Sequence, residues 1–327
     1  KIWIRSQDKV LSYSLDFQNS AGCLLEAKLE LKMEPEIYWA ELRKELEQIS
    51  NMNNPEAELI RIGNRLFKEF WPPELYPTLK AFIREDIRSV LIHTNDPWIP
   101  WEMMKPYGIF KSEQDKEKYE NFFCLQFDIA RWYMPKTGTR PEANIDVEHM
   151  GYVMPQFHDL PNILVERESI ESLAKKKQLL SMHISPADRD NVLKKMEVDF
   201  HPSVNLWHFA THGDHDFKLP DYAPLLLEKD SQIRPNDFHG DIQLQLQKVK
   251  PFIFLNACRV GHGGRGLTGM GGWASLFVGN RCVSGMLAPL WAIGDRSACC
   301  FANIFYSLLF DIDSNSPMTI AKLVRLT

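Results

Sequence analysis

The sequence predicts an α/β protein with a mostly parallel sheet and helices on both faces, preceded by a smaller α+β region. From residue 149 onward, strand-like and helix-like segments alternate, which is typical of a parallel sheet. Two apolar runs, 204–211 and 251–257, end abruptly in reactive side chains and have the length of buried strands. Residues 1–34 instead alternate apolar and polar positions, which predicts half-buried strands.

Composition and charge exclude several classes of function. The chain has 327 residues, 44% apolar and 25% charged, so two domains or one large domain are expected. A net charge of −5 gives no electrostatic reason to bind nucleic acid or an anionic membrane. The sequence shows neither an apolar run of membrane-spanning length nor a secretory signal at its start.

Cysteine usage indicates reduced thiols and therefore a cytoplasmic location. The 6 cysteines are scattered and form no CxxC pair, which argues against a zinc ribbon or a disulfide framework. The chain begins at Lys1 rather than Met, and a helical pattern at 318–323 lies close to its end. We expect a fragment or processed piece of a longer protein; a complete protein freed of a tag is the alternative.

The N-terminal region, residues 1–135, is expected to form an α+β scaffold or receiver module, similar to a pseudo-protease. Its strands are expected around Ile2 and Ile4, across 11–17 and 25–31, and at 87–93 and 122–133, with turns at 7–9 and 19–22. Helical spacing predicts helices over 36–49, from Pro55 to Phe70 and over 73–84. Two prolines keep 96–101 extended before a short helix.

Residues 136–148 are expected to be a linker or loop, because the surrounding polar stretch contains Gly and Pro and few apolar residues. The second domain is expected to span 149–327. Its predicted strands are 150–154, 179–184, 204–211, 225–228, 251–257 and 283–287. Its predicted helices are 161–176, 186–196, 236–248, 273–277 and 297–310.

His212 and Cys258 are the candidate catalytic pair. Each follows a predicted buried strand, and ligands of open α/β sheets bind beyond the carboxyl ends of the strands. His212 precedes Cys258 by 46 residues, which leaves room for the two strands to be neighbours. An imidazole can take the thiol proton and return it to the leaving amine. The N–H groups of Gly213 and Cys258 would form an oxyanion hole, and this chemistry needs no cofactor.

These motifs resemble the caspase-like (clan CD) cysteine peptidases, and among them the CHAT peptidases. The family's blocks appear as His208-Phe209-Ala210-Thr211-His212-Gly213, Leu255-Asn256-Ala257-Cys258 and Leu287-Ala288-Pro289-Leu290-Trp291-Ala292-Ile293-Gly294-Asp295. The segment Trp98-Ile99-Pro100-Trp101-Glu102 resembles one that precedes the peptidase domain in CHAT proteins. The resemblance covers roughly residues 87–310, and it implies a caspase-like sheet.

By this resemblance, the protein is a cysteine endopeptidase in which Cys258 is the nucleophile and His212 the base. Asp295 matches the separase aspartate that binds a basic P1 side chain, and Asn256 would line the same pocket. The alternative is that Asp295 caps the helix predicted from Ser297. The caspase Gln-Ala-Cys is Asn256-Ala257-Cys258 here, and no arginine cluster for an acidic P1 residue is evident.

The resemblance also implies partners. These are a protein or peptide substrate and an activating partner or sensor domain, in a prokaryotic defence or regulatory system. Direct binding to nucleic acid or to a membrane is not expected.

Two motifs partly match the patterns of a zinc site and of a dinucleotide-binding loop. His212-Gly213-Asp214-His215 looks like half of a binuclear zinc site, but the histidine needed two positions earlier is Ala210. The 261–266 loop matches GxGxxG, yet no acidic residue follows at the end of the next strand, so it is interpreted as a mobile loop beside a cleft. His208 is expected to be structural and His262 a solvated loop residue.

Two rival functions stay open. One is a catalytically silent caspase-like interaction module. The other is a different cysteine hydrolase, an amidase or acyltransferase on the same α/β plan.

Overall fold

The chain divides into two compact units, Lys1–Met134 with Ser316–Leu326, and Pro135–Asn315 with Thr327. The computed structural model describes residues 1–15, 25–49, 52–85, 87–133, 147–200, 202–214, 219–258, 264–266, 269–280, 282–312 and 318–327. The functional roles given above to residues 1–135, 136–148 and 149–327 stay predictions. No described helix is both long and apolar enough to cross a membrane.

The first unit is a mixed sheet with helices. Its strands are β1 (Ile2–Gln7), β2 (Val10–Leu15), β3 (Leu25–Glu30), β4 (Ser89–Thr94) and β5 (Asp128–Tyr133). Its helices before β5 are α1 (Pro35–Gln48), α2 (Pro55–Phe70), α3 (Tyr76–Arg84), α4 (Glu113–Tyr119) and α5 (Phe123–Gln126). The described strands are ordered β3-β2-β1-β4-β5, antiparallel from β3 to β1 and parallel from β1 to β5.

The period-two pattern of the first strands is confirmed by their burial. Side chains at alternate positions of β1 and β2 are buried, and among them Tyr13 donates its hydroxyl hydrogen to the Phe70 carbonyl at the end of α2. Pro55 begins α2, and the Asn54 side chain accepts a hydrogen bond from Ala57 N at 3.1 Å. Asn54 thereby satisfies one of the free N–H groups at the helix start.

Parts of the first unit differ from the expectation or fall outside the described residues. Residues 122–133 do not form one strand, because the apolar run first makes α5 and only then β5. In α1, Ile37 is 57% exposed and Trp39 is buried. The α4 helix was not predicted, since it buries no residue and so has no apolar stripe. Phe17 and the turn at 19–22 lie outside the described residues.

The second unit contains the parallel sheet. Its strands are β6 (His149–Val153), β7 (Leu180–His183), β8 (Leu206–Ala210), β9 (Leu225–Leu226), β10 (Gln232–Ile233), β11 (Phe252–Asn256), β12 (Gly264–Gly266), β13 (Gly269–Gly271) and β14 (Gly285–Leu287). Its helices are α6 (Asn162–Lys176), α7 (Arg189–Glu197), α8 (Asp241–Val249) and α9 (Asp295–Asp311). The last described helix, α10 (Ile320–Leu326), belongs to the first unit.

The order of the parallel strands is β14-β11-β8-β6-β7. All four pairings between these described strands are parallel, which confirms the predicted α/β fold class. Every residue of β8 and of β11 is buried, as their continuous apolar sequences predicted. Ala210 pairs with Asn256, so the two strands end level with each other at one edge of the sheet.

Several elements of the second unit differ from the expectation. The strand expected at 225–228 is only the two residues of β9, and it pairs with the unpredicted β10. The helix expected from 236 begins at Asp241, after a 3-10 turn at Pro235–Asp237. Part of the glycine-rich region forms an antiparallel hairpin of β12 and β13. The stretch 134–146, which covers most of the expected linker, lies outside the described residues.

Candidate active site

His212 and Cys258 lie at the same edge of the parallel sheet. Each follows the last residue of a central strand by two positions, and those last residues, Ala210 and Asn256, are a register pair. The Thr211 N–H donates to the Asn256 carbonyl at 3.3 Å, so the two chains stay adjacent beyond the strands. Cys258 is half-buried and the His212 side chain is 29% exposed. Buried, rigid strands thus hold two partly accessible reactive groups.

The His212 ring and the Cys258 thiol each have a different partner. His212 Nε2 lies 3.0 Å from Asp159 Oδ1, and the Phe157 ring lies 4.9 Å from the imidazole, centroid to centroid. The Cys258 Sγ lies 3.7 Å from the Ile293 carbonyl oxygen, to which the thiol donates. Both side chains are described, and no hydrogen bond joins them directly.

Asp159 was missed by the sequence analysis. It lies in the segment after β6, and β6 is the direct neighbour of β8 in the sheet. The hydrogen bond from His212 holds the pKa of the Asp159 carboxyl below its usual value. Its place in the loop after a predicted strand was the available signal, but only the strand order reveals that this strand lies beside β8.

Gly213 is held by a backbone bridge to the segment that follows it. Gly213 and Leu225 form an isolated antiparallel bridge, with Leu226 N–H donating to the His212 carbonyl at 2.9 Å and Asp214 N–H to the Pro224 carbonyl at 3.2 Å. In such a non-hydrogen-bonded pair, the N–H of the central residue points away from the partner strand. Among the described residues, the Gly213 N–H has no hydrogen-bond acceptor.

A buried polar network lies beneath the ends of β8 and β11. The Asn256 amide nitrogen lies 3.0 and 3.1 Å from the two Glu166 oxygens and 3.3 Å from the Ala298 carbonyl. His208 Nε2 lies 2.7 Å from Glu166 Oε1, and His208 Nδ1 lies 2.9 Å from the Tyr306 hydroxyl. Burial raises the pKa of Tyr306, so its hydroxyl stays protonated and donates to His208.

This network gives His208 the structural role that was expected for it. The Asn256 side-chain amide is already hydrogen-bonded within this network. The residue is 7% exposed and its side chain faces α6 and α9. A place for Asn256 in a substrate pocket stays a prediction. Its contacts favour a role in fixing the end of β11, two residues before Cys258.

Asp295 is the first residue of α9, and Gly294 is the N-cap. Asp295 makes no cap hydrogen bond to its own helix, which differs from the alternative considered above. Its Oδ2 instead accepts from Asn162 N at 3.0 Å and from Asn162 Nδ2 at 2.6 Å. A role of Asp295 in a substrate pocket stays a prediction.

The segments after His212 and Cys258 contact each other. Asp221, in a short helical turn at Pro220–Tyr222, accepts a hydrogen bond from the Gly272 N–H at 2.7 Å. Trp273 Nε1 donates to the Ala223 carbonyl at 3.1 Å. His215 and His262 lie outside the described residues.

In the described part of the chain, no group of three or more His, Cys, Asp and Glu side chains could hold a metal ion. The five cysteines that the structure describes are all free thiols. The arrangement at the sheet edge combines the Cys258 thiol, the His212 imidazole and the Asp159 carboxylate with a Gly213 N–H that points away from β9.

Comparison with known proteins assigns the chain to a family. The CHAT domain family matches residues 61–324, which is most of the chain and confirms the resemblance seen in its motifs. A search of curated proteins found no match. Among solved structures, the initiator caspase Dronc from Drosophila matches with 8% identity and a TM-score of 0.26. That alignment covers 35% of this chain and 50% of the Dronc chain, so it spans half the caspase.

Proposed function

Since the chain belongs to the CHAT domain family, we propose that it is a cysteine endopeptidase with Cys258 as nucleophile and His212 as general base and acid. The observation that carries the proposal is the register of β8 and β11, whose last residues, Ala210 and Asn256, are paired. His212 and Cys258 therefore lie at the same edge of a parallel sheet. A thiol beside an imidazole at the carboxyl ends of parallel strands is suited to acyl transfer.

In the proposed reaction, His212 takes the proton from the Cys258 thiol. The thiolate attacks the carbonyl carbon of the scissile peptide bond and forms a tetrahedral intermediate. His212 then gives the proton to the leaving amine, the C–N bond breaks, and a thioester remains on Cys258. Water, activated by His212, hydrolyses the thioester and restores the thiol.

The Gly213 N–H, with that of Cys258, is proposed to bind the developing oxyanion. The bridge to Leu225 supports this assignment, because it fixes the peptide at Gly213 and turns its N–H away from β9. The absence of a side chain at 213 would leave room for the substrate carbonyl.

A basic P1 residue is the proposed specificity, with Asp295 as the acidic partner and Asn256 beside it. Because the Asp295 carboxylate is bound to Asn162, an incoming Arg or Lys side chain would share or replace that contact. An ionised carboxylate forms stronger hydrogen bonds to a cation than to a neutral amide.

Regulation by a partner or sensor domain is also proposed, in a prokaryotic defence or regulatory system. The Cys258 thiol donates to the Ile293 carbonyl and not to His212, which supports a requirement for rearrangement before catalysis. The first unit is proposed to act as scaffold or receiver, and the free thiols support a reducing, cytoplasmic location.

The test is covalent labelling with a peptidyl acyloxymethyl ketone that carries Arg at P1. The thiolate displaces the carboxylate leaving group and becomes a thioether, which intact-protein mass spectrometry detects. Wild type is expected to be labelled once, and Cys258→Ala not at all. Cys300→Ala is the matched control, since it removes an exposed thiol elsewhere in the same unit.

Loss of labelling in Cys258→Ala but not in Cys300→Ala supports the endopeptidase. Equal labelling of wild type and Cys258→Ala would reject Cys258 as the nucleophile. A wild type that neither labels nor cleaves any peptide, alone or with its partner, would leave the silent interaction module as the function.

A further inference from the structure

We propose that Asp159 is a positioning residue for His212, so that the catalytic group is a Cys-His-Asp arrangement rather than a dyad. This inference rests on the proposed function of the same site. Its starting point is the contact of 3.0 Å between Asp159 Oδ1 and His212 Nε2. Asp159, His212 and Cys258 follow β6, β8 and β11, three consecutive strands of the parallel sheet.

The contact determines which ring nitrogen can serve as the base. An ionised carboxylate only accepts hydrogen bonds, so the nitrogen that faces it must carry a proton. The pKa of Asp159 is held low, chiefly by its hydrogen bond with His212 and next by a hydrogen bond from its own backbone N–H. At neutral pH, Nε2 of His212 is therefore the donor. The neutral ring then has its lone pair on Nδ1, and Nδ1 is the atom that accepts the Cys258 proton.

The segment that carries Asp159 is anchored on both sides of this residue. On one side, the Phe157 ring packs against the imidazole at 4.9 Å between centroids. On the other side, Asn162 is tied to Asp295 through its backbone N–H and its side-chain amide. Backbone hydrogen bonds from Leu160 N to the Phe157 carbonyl and from Ile163 N to the Leu160 carbonyl, both 3.3 Å, continue the turn into α6. The position of Asp159 is thus fixed by the fold.

A surface ion pair without function is the competing explanation, because the Asp159 side chain is 73% exposed. Exposed pairs contribute little to stability. A positioning role predicts something that such a pair does not: the His212 tautomer depends on Asp159. When the carboxylate is removed, the protonated nitrogen is no longer specified, and part of the population has its proton on Nδ1, where it cannot accept the thiol proton.

The test uses ¹⁵N NMR of the His212 ring in Cys258→Ala protein, where the readout does not depend on activity. The His212 signals are assigned by their loss in His212→Gln. We expect Nε2 protonated in the parent, and a mixed population after Asp159→Ala. Asp190→Ala is the matched control, because that carboxylate is 94% exposed and bonded to Arg189. The Asp159 carboxyl is titrated by ¹³C NMR, and its pKa is expected to rise toward the ordinary value of about 4 in His212→Gln.

Kinetics in otherwise wild-type protein complete the test. We expect Asp159→Ala to lower kcat by about tenfold with little change in KM, because it changes the protonated nitrogen and not substrate binding. The pH profile of kcat/KM should change shape in Asp159→Ala, Asp159→Glu should recover part of the rate, and Asp190→Ala should match wild type.

The two proposals fail in different ways. A parent protein with Nδ1 protonated, or a tautomer indifferent to Asp159→Ala, overturns the assignment of Asp159 even in an active peptidase. Equal small effects of Asp159→Ala and Asp190→Ala also overturn it. A protein without any peptidase activity whose His212 tautomer still depends on Asp159 supports the positioning contact and rejects only the endopeptidase.

Discussion

The Asp295 carboxylate holds the first residue of another helix: its Oδ2 accepts from both the backbone N–H and the side-chain amide of Asn162. The N–H groups of the first helical turn have no partner within their own helix, and a negative charge there is favourable. Asp295 at the start of α9 therefore caps α6. Because α6 follows the segment of Asp159 directly, the proposed specificity residue and the proposed positioning residue are connected through Asn162.

The replacement Asp295→Asn is expected to remove the preference for a basic P1 residue while it retains a hydrogen bond to Asn162. Asparagine keeps an oxygen that can accept from Asn162 N–H, but it has lost the charge that attracts a basic side chain. We expect the ratio of kcat/KM for Arg over a neutral residue at P1 to fall by about tenfold or more. The measurement uses two peptides that differ only at P1.

Asn162→Ala is the matched control for Asp295→Asn. It removes the hydrogen bond from the Asn162 side-chain amide to Asp295 and leaves the Asp295 carboxylate intact. The preference for Arg at P1 should therefore persist. If Asn162→Ala abolished the preference and Asp295→Asn preserved it, Asp295 would be a structural cap and the basic P1 preference would have another origin.

Cysteine alkylation is expected to separate the described thiols by their pKa and exposure. Burial raises the pKa of Cys282 and of Cys299 to about 11, and burial with the nearby Glu102 charge raises that of Cys124 to about 11. Only the thiolate reacts, so these three are protected at neutral pH. We expect iodoacetamide at pH 7.5 to modify Cys258 and the exposed Cys300 first, as peptide mapping by mass spectrometry would show.

Iodoacetamide should also modify Cys124, Cys282 and Cys299 as the pH approaches 11, because these buried thiols then ionise. In Cys300→Ser, we expect Cys258 to be the first of the described thiols modified at pH 7.5. Modification of Cys282 at pH 7.5 as fast as that of Cys258 would contradict the burial that raises its pKa.

The sequence could predict the strands that carry His212 and Cys258 because fully buried strands have continuous apolar sequences. It could not predict Asp159 or Glu166 as their neighbours. These contacts depend on the strand order that places β6 beside β8 and α6 against α9, and no local periodicity encodes that order. They join residues far apart in the chain.

Short elements were missed for a different reason. The four residues of α5 make only one helical turn, so an apolar run there was indistinguishable from the start of β5. The strands β12 and β13 are three residues each and begin and end in glycine, so they show no alternation. In both cases the element is too short to show the repeating pattern of apolar residues by which helices and strands are recognised in a sequence.

The buried Glu166 is expected to be essential for stability. Its carboxylate accepts from His208 Nε2 and from the Asn256 amide, and Glu166 is 2% exposed. Glu166→Ala would leave the His208 donor buried without an acceptor and the Asn256 amide with only the Ala298 carbonyl, at a cost of about 3 kcal/mol in the free energy of unfolding. Urea denaturation would measure this loss.

Tyr306→Phe is the milder comparison for Glu166→Ala. It removes only the hydroxyl that donates to His208, so a loss of about 1 kcal/mol is expected. A Glu166→Ala protein as stable as wild type would show that the network is dispensable for folding. In that case the position of Asn256, and with it the end of β11, would have to be fixed by backbone pairing alone.

The contact between Asp221 and Gly272 is expected to order the hairpin that follows Cys258. The Asp221 carboxylate accepts from Gly272 N–H at 2.7 Å, and Gly272 has a φ of 90°, which favours glycine. A Cβ added at Gly271 would lie 2.8 Å from Asp221 Oδ1 and 2.8 Å from Pro220 Cγ, closer than packing allows. Asp221→Ala and Gly271→Ala should therefore weaken the same contact from opposite sides.

Hydrogen exchange followed by mass spectrometry would measure this effect. We expect both variants to speed exchange of the peptide covering 269–280 by about tenfold, the loss of one charge-assisted hydrogen bond. They should also slow probe labelling of Cys258, because the hairpin that follows the nucleophile loses its fixed position. Gly279→Ala is the control, since its Cβ would meet only Ser275 Oγ at an ordinary 3.5 Å. Wild-type exchange in both Asp221→Ala and Gly271→Ala would mean that the hairpin is ordered by its own strand pairing and not by Asp221.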